Sequence, residues 1–254
     1  MRKGVFKKAI ALVAAVVTVL GGSSLMGLTA QAANNVTYSN AAQICNYVYK
    51  GYNGGAYGPI TITKGTYSGR SVYLVTLSGT ESVSNQSTGY LTDALAGFNL
   101  NNRYYSNVVS IITANIPKNS DIILAGHSLG GMVAQQVASN STIKSRYNVK
   151  NTVCFGSPLL AAGTREGDVK RLGDTSDVVP YLSGSTINNT AWAIAGLNRE
   201  NGGYGRDVYN AHVKSYLRSD VWGSYDITGK KWGSAKITLD LNTLKYYKSP
   251  TSVK

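Results

Sequence analysis

Ser128 lies in Gly126-His127-Ser128-Leu129-Gly130-Gly131, after the apolar run Ile122-Ile123-Leu124-Ala125 and before Met132-Val133-Ala134-Gln135-Gln136-Val137-Ala138. A buried-strand pattern, a serine between glycines and then a helical pattern make the strand–turn–helix context of a nucleophile elbow. Such a turn forces strained backbone angles on the serine, and glycines two residues to either side let strand and helix approach without side-chain clashes. The hydroxyl then stands at the tip of the turn. The helix brings its free first amides, that of Leu129 among them, to the place where an oxyanion would form. The chemistry implied is covalent acyl transfer.

A serine of ordinary pKa needs an adjacent base, normally histidine. The chain has two histidines. His127 precedes the serine inside the elbow, where neighbouring side chains diverge, so His212, downstream and near a late helical pattern, is the candidate base. The acid must fall between Ser128 and His212 in the order Ser, acid, His, which admits Glu166, Asp168, Asp174, Asp177, Glu200 and Asp207. Asp177 fits best, because it follows a short strand pattern in a loop and precedes Val178-Val179-Pro180, at the carboxyl edge of a sheet. Asp174 is the runner-up, and Asp207 suits the start of its own helix, where a carboxylate favours the N-terminal dipole. A second oxyanion donor is offered by Leu77-Ser78-Gly79-Thr80-Glu81, which leaves a strand through a glycine and aims the Thr80 amide at the developing charge.

The elements needed to position these groups are legible in outline. Ser39 is placed to cap a helix over Ala41–Tyr49; strand patterns at Pro59–Thr63 and Ser71–Leu77 flank a hairpin connection, Lys64 to Arg70; helical spacing runs from Arg103 to Ile116. Strand 121–126, a helix from 129 to about 140, strand 150–155 and a shorter strand at Val169–Leu172 then alternate. That alternation predicts an α/β fold with a mostly parallel central sheet covered by helices on both faces. Asp207 to Leu217 reads as a late helix, while residues 225 to 247 carry turn and strand signals without a clear place.

The N-terminus reads as an export signal. Met1 to Lys8 is basic, Ala9 to Leu20 is an apolar stretch short for a membrane span, and Ala30-Gln31-Ala32 is a small-x-small cleavage site. Residues 1–32 are set apart on that ground, leaving 33–254 as one domain of a secreted protein. Losing Arg2, Lys3, Lys7 and Lys8 lowers the formal charge from +13 to +9. The remaining cations are scattered rather than gathered in one stripe, which argues against a nucleic-acid surface and for transient attraction to lipid surfaces or an anionic cell envelope. Two cysteines and two histidines provide no metal-ligand spacing, and no cofactor or obligate protein partner is implied. Cys45 and Cys154 fit small apolar packing better than a disulfide.

From about Val72 to Tyr216 the chain resembles the class 3 lipase family of α/β-hydrolases. Ser78-Gly79-Thr80 looks like that family's oxyanion segment, Gly126 to Gly131 like its elbow, Phe155-Gly156-Ser157-Pro158 like its next strand end, Asp177-Val178-Val179-Pro180 like its acid motif, and His212 followed by Tyr216 like its histidine motif. The resemblance implies Ser128 as nucleophile, His212 as base and acid, Asp177 as orienter and Thr80 and Leu129 as oxyanion donors. It departs after Pro158, where Leu159-Leu160-Ala161-Ala162-Gly163 stands, and in a shorter stretch from Thr80 to Gly126. Residues 82 to 101 fit either a small flap with Tyr90, Leu91, Leu95 and Phe98 as its apolar face or a plain helix packed on the core, and Ala191–Leu197 fits either the wall of an acyl pocket or ordinary core packing.

The expectation is therefore a secreted serine hydrolase of carboxylic esters, with lipid or small esters as substrates. Phospholipid, short-chain and aromatic esters are not separable from acylglycerols on this basis. The rival from another class is a non-catalytic binding module on the same scaffold, against which the complete, ordered set of Ser128, Asp177 and His212 speaks.

Overall fold

In the computed structural model, which describes residues 34–79, 103–182 and 196–249, the chain runs through strand β1 (Asn35–Tyr38), helix α1 (Ala41–Val48), β2 (Ile60–Tyr67), β3 (Arg70–Leu77) and α2 (Arg103–Asn115). It continues through β4 (Asp121–His127), α3 (Leu129–Ser139), α4 (Ser141–Arg146), β5 (Asn148–Phe155), β6 (Asp168–Asp174) and β7 (Leu197–Glu200). Helices α5 (Val208–Lys214) and α6 (Ser219–Trp222) and strands β8 (Ile237–Asp240) and β9 (Lys245–Tyr247) complete it. All described residues belong to one compact unit, Ala33–Lys254. Thr80, residues 82 to 101, most of Ala191–Leu197 and the N-terminal signal lie outside the described residues.

The sheet order is β1-β8-β2-β3-β4-β5-β6-β7, with β9 also on β2. From β3 to β7 every pairing is parallel, and the strands on the β1 side of β3 are antiparallel. This is the mostly parallel, helix-covered sheet of the α/β-hydrolase fold. Successive strand side chains point to opposite faces, so each apolar strand feeds two cores. Tyr73, Val75, Leu77, Ile122 and Leu124 pack with α2, α3 and Ile143 of α4, whereas Val72, Leu74, Ile123 and Ala125 pack with α1 and Trp222 of α6. Each fully buried aliphatic side chain here contributes about 1.5–3 kcal/mol. Cys154 belongs to the first core and Cys45 to the second, both as free thiols. Burial pushes both thiol pKa values up, that of Cys154 to about 12.

Local structure departs from the sequence reading at several points. Asn40, not Ser39, caps α1: its side chain accepts from Gln43 N–H at 2.9 Å while Gln43 Oε1 accepts from the Asn40 and Ser39 amides. Strand β2 runs on to Tyr67, so the hairpin connection is only Ser68-Gly69, at φ 49° and 75°. Lys64-Gly65-Thr66 reads as loop because it is polar, yet Gly65 is pressed against Leu239 of β8, which pairs with β2 only through the far end of the chain. Strands β1, β7, β8 and β9 are likewise set by long-range pairing rather than by local pattern.

Candidate active site

Strand β4 ends at His127, and Ser128 turns the chain into α3 with φ 55° and ψ −124°. A serine in this region is strained, so its surroundings must hold it. The Ser128 amide donates to Phe155 C=O at the end of β5 (2.9 Å), and its own carbonyl accepts from Gly131 and Met132 N–H at 3.0 and 3.2 Å. The glycines answer to close approach. A Cβ on Gly126 would lie 2.6 Å from Gly131 N, one on Gly131 2.6 Å from Ser157 Cβ, and one on Gly130 would drive into the backbone of Leu77 and Ser78. Leu129 opens the helix, nearly buried, and its N–H donates to no acceptor among the described residues.

Strand β6 leads into the loop that carries Asp177, the candidate acid. Beyond Asp174 a turn closes with Asp177 N–H donating to Asp174 C=O (3.0 Å), and Asp177 is fully buried. Its Oδ1 accepts from Val179 N–H (3.0 Å), and its Oδ2 lies 2.8 Å from His212 Nδ1 and accepts from the Tyr216 hydroxyl at 2.6 Å. A carboxylate oxygen accepts, so His212 Nδ1 is the donor in this hydrogen bond. His212 sits on α5, which Asp207 caps through Asn210 N–H, as its position at a helix start implies. Gly156, at φ 54°, passes so close beneath the pair that a Cβ would lie 2.9 Å from Asp177 Oδ2 and 3.1 Å from His212 Nδ1. Arg171 ties the two loops together by donating to Ser157 C=O (3.2 Å) and to Pro180 C=O, and burial pushes its pKa down to about 10.

The other acids are engaged elsewhere. Asp174 accepts from Ser176 N–H (2.8 Å), Gly202 N–H (2.9 Å) and Ser215 Oγ (2.5 Å), a buried carboxylate satisfied by backbone and hydroxyl. Glu200 pairs with Lys231 and Tyr225, Asp168 with Lys170, and Glu166 accepts from Val149 N–H.

Asp177 and His212 are thus hydrogen-bonded, and the ring of His127, the residue before Ser128, packs on His212 with centroids 4.7 Å apart. The Ser128 hydroxyl forms no hydrogen bond with another described residue. Catalytic contacts of this kind commonly tighten only when substrate is bound. Thr80 lies outside the described residues, but Gly79 before it packs on Ser128, where a Cβ would come within 2.9 Å of Ser128 Cβ.

Sequence reading set His127 aside, and the structure gives it partners: Tyr52 Oη at 2.6 Å from Nδ1 and the His212 carbonyl at 2.9 Å from Nε2. Tyr49 and Tyr52, three residues apart across the 3-10 turn that follows α1, bring their rings to 4.9 Å between centroids, and that spacing was the available signal.

The fold is that of the α/β-hydrolases, with polar groups gathered where the parallel strands end. The family described as PGAP1-like alpha/beta domain matches residues 81–182, which include the elbow and the Asp177 loop but not His212. That match, to an α/β-hydrolase-type family with lipase-like members, suggests a hydrolase of the esterase and lipase type. It is a coarser statement than the class 3 resemblance. No curated protein and no solved structure gives a significant match. Among the described residues no helix is long and apolar enough to cross a membrane, and no group of His, Cys, Asp and Glu is placed to hold a metal ion.

Proposed function

We propose that the protein is a secreted serine hydrolase that cleaves carboxylic esters, with lipid esters as the substrate class that the class 3 lipase resemblance implies. Ser128 Oγ attacks the ester carbonyl as His212 Nε2 takes its proton; the alkoxide of the leaving alcohol departs with that proton, and water repeats the sequence to release the acid. Asp177 holds the His212 Nδ1–H and stabilises the imidazolium. The Leu129 and Thr80 amides stabilise the oxyanion. Export follows from the N-terminal signal pattern, and the basic surface favours transient contact with lipid or an anionic envelope.

The observations that support this reading are the 2.8 Å Asp177–His212 hydrogen bond and, separately, a serine held at φ 55° in the turn from β4 into α3. Labelling by a fluorophosphonate and turnover of a p-nitrophenyl ester test it. Both should be present in the native chain and absent from Ser128→Ala, which should still unfold cooperatively. A folded native chain that takes no label and turns over no ester would be the binding module instead. With a short Thr80–Gly126 stretch, the rate on tributyrin should be appreciable below its solubility limit and rise only weakly above it; a jump of about tenfold from near zero would show a working lid.

A further inference from the structure

A chain of hydrogen bonds that the triad does not use runs beneath the elbow. The Gly79 amide lies 2.7 Å from Tyr52 Oη, Tyr52 Oη lies 2.6 Å from His127 Nδ1, and His127 Nε2 lies 2.9 Å from the His212 carbonyl oxygen. The ends fix its direction. A carbonyl only accepts, so His127 Nε2 carries the proton; a neutral ring then presents a lone pair at Nδ1, and Tyr52 must donate to it. An amide N–H only donates, so the Tyr52 oxygen accepts from Gly79. Burial and the adjacent His212 keep the ring neutral by pushing its pKa well below the usual histidine range. One tautomer remains.

What the chain connects gives it meaning. Gly79 is the last residue before Thr80, and it packs so tightly that a Cβ would lie 2.9 Å from both Ser128 Cβ and the His127 carbonyl oxygen. The His212 carbonyl belongs to the residue that faces Asp177, and the next carbonyl, Val213, accepts from Tyr49 Oη at 2.8 Å.

We infer that Tyr52 and His127 are positioning residues, whose hydrogen-bond relay holds the end of β3 and the His212 backbone in register with Ser128. The inference rests on Ser128 and His212 acting as proposed above. Tyr52 and His127 act through those neighbours, and a misplacement of about 1 Å in such a site costs about 10²-fold in rate.

The test uses Tyr52→Phe, His127→Gln and the double variant of the full chain, with active sites titrated by a fluorophosphonate and turnover measured on p-nitrophenyl butyrate. Tyr52→Phe keeps the ring and removes only the hydroxyl, so it remains informative if the His127 variants fold poorly. Each single variant should lose roughly 10- to 100-fold in kcat per titrated site, with KM within about threefold. The double should be no worse than the poorer single, because both break one relay. His127→Asn, whose Oδ1 falls near the Nδ1 position and accepts from Tyr52, should retain more kcat than His127→Leu. Wild-type kcat per titrated site in Tyr52→Phe, or losses that multiply in the double, would overturn the relay while leaving the hydrolase reading intact. A folded wild type that takes no label overturns both.

Discussion

The Tyr216 hydroxyl donates to Asp177 Oδ2 across 2.6 Å, on the same oxygen that faces His212 Nδ1. The Tyr216 oxygen also accepts from Asp174 N–H at 3.0 Å, and its fully buried ring stacks on Trp222. Burial and the Asp177 charge push the Tyr216 pKa well up, so it stays a donor. Tyr216→Phe keeps the ring but removes one of the three donors to the Asp177 carboxylate and strands the Asp174 amide. It should lower kcat on a soluble ester about tenfold and cost about 1–3 kcal/mol in urea unfolding. Unchanged kcat would mean that His212 and the Val179 amide fix the carboxylate without Tyr216.

Asp177 and Asp174 are both buried, three residues apart, and their partners separate them. Asp177→Asn should lower kcat by about three to four orders of magnitude with a small change in stability, because the amide misorients the imidazole. Asp174→Asn sets an NH2 group against Gly202 N–H and Ser215 Oγ, so it should cost about 2–4 kcal/mol of stability yet change kcat per titrated site only a few-fold. Denaturation curves beside titrated turnover check both, and the reverse ranking of activities would transfer the acid role to Asp174.

His127 gives the fold a pH dependence of known sign. Its folded pKa lies below the roughly 6.5 of a free imidazole, so between those two values the unfolded chain binds more protons. The stability it contributes is full above pH ~6.5 and declines as pH falls through that value toward the folded pKa, by at most ~1.4 kcal/mol per unit. Urea unfolding at pH 7.5 and pH 5.5 should show the native chain losing about 1 kcal/mol more than His127→Gln, which has no proton to gain. Equal losses would mean that the buried ring titrates normally.

Gly130→Ala and Gly163→Ala form a matched pair. At Gly130 the methyl meets the backbone of Leu77 and Ser78, whereas at Gly163 nothing lies within 4 Å. Gly130→Ala should therefore destabilise by about 3 kcal/mol and abolish fluorophosphonate labelling, and Gly163→Ala should do neither. A labelled, stable Gly130→Ala would show that the elbow tolerates a wider turn.

The amino-acid order alone carried the central α/β alternation, because Ile122–Ala125 is apolar without interruption, the elbow glycines follow at once, and a helical period begins within the same segment. It also narrowed the candidates: with two histidines, one of them inside the elbow, His212 is the candidate base, and Asp207 shows its capping role by its place before a helical pattern. The tertiary structure decided what depends on partners distant in sequence. Strands β1, β7, β8 and β9 and the full length of β2 exist because their backbones pair with segments up to about 200 residues away, and short polar strands announce no pattern of their own. The preference for Asp177 over Asp174 was only a matter of loop position in the sequence, whereas in space one carboxylate meets His212 and the other meets Gly202 and Ser215. His127 shows the same limit most clearly. The divergence of neighbouring side chains on a strand argued against His127 as the base, but only the folded chain brings Tyr52 from beyond α1 and the His212 carbonyl from α5 to its two nitrogens.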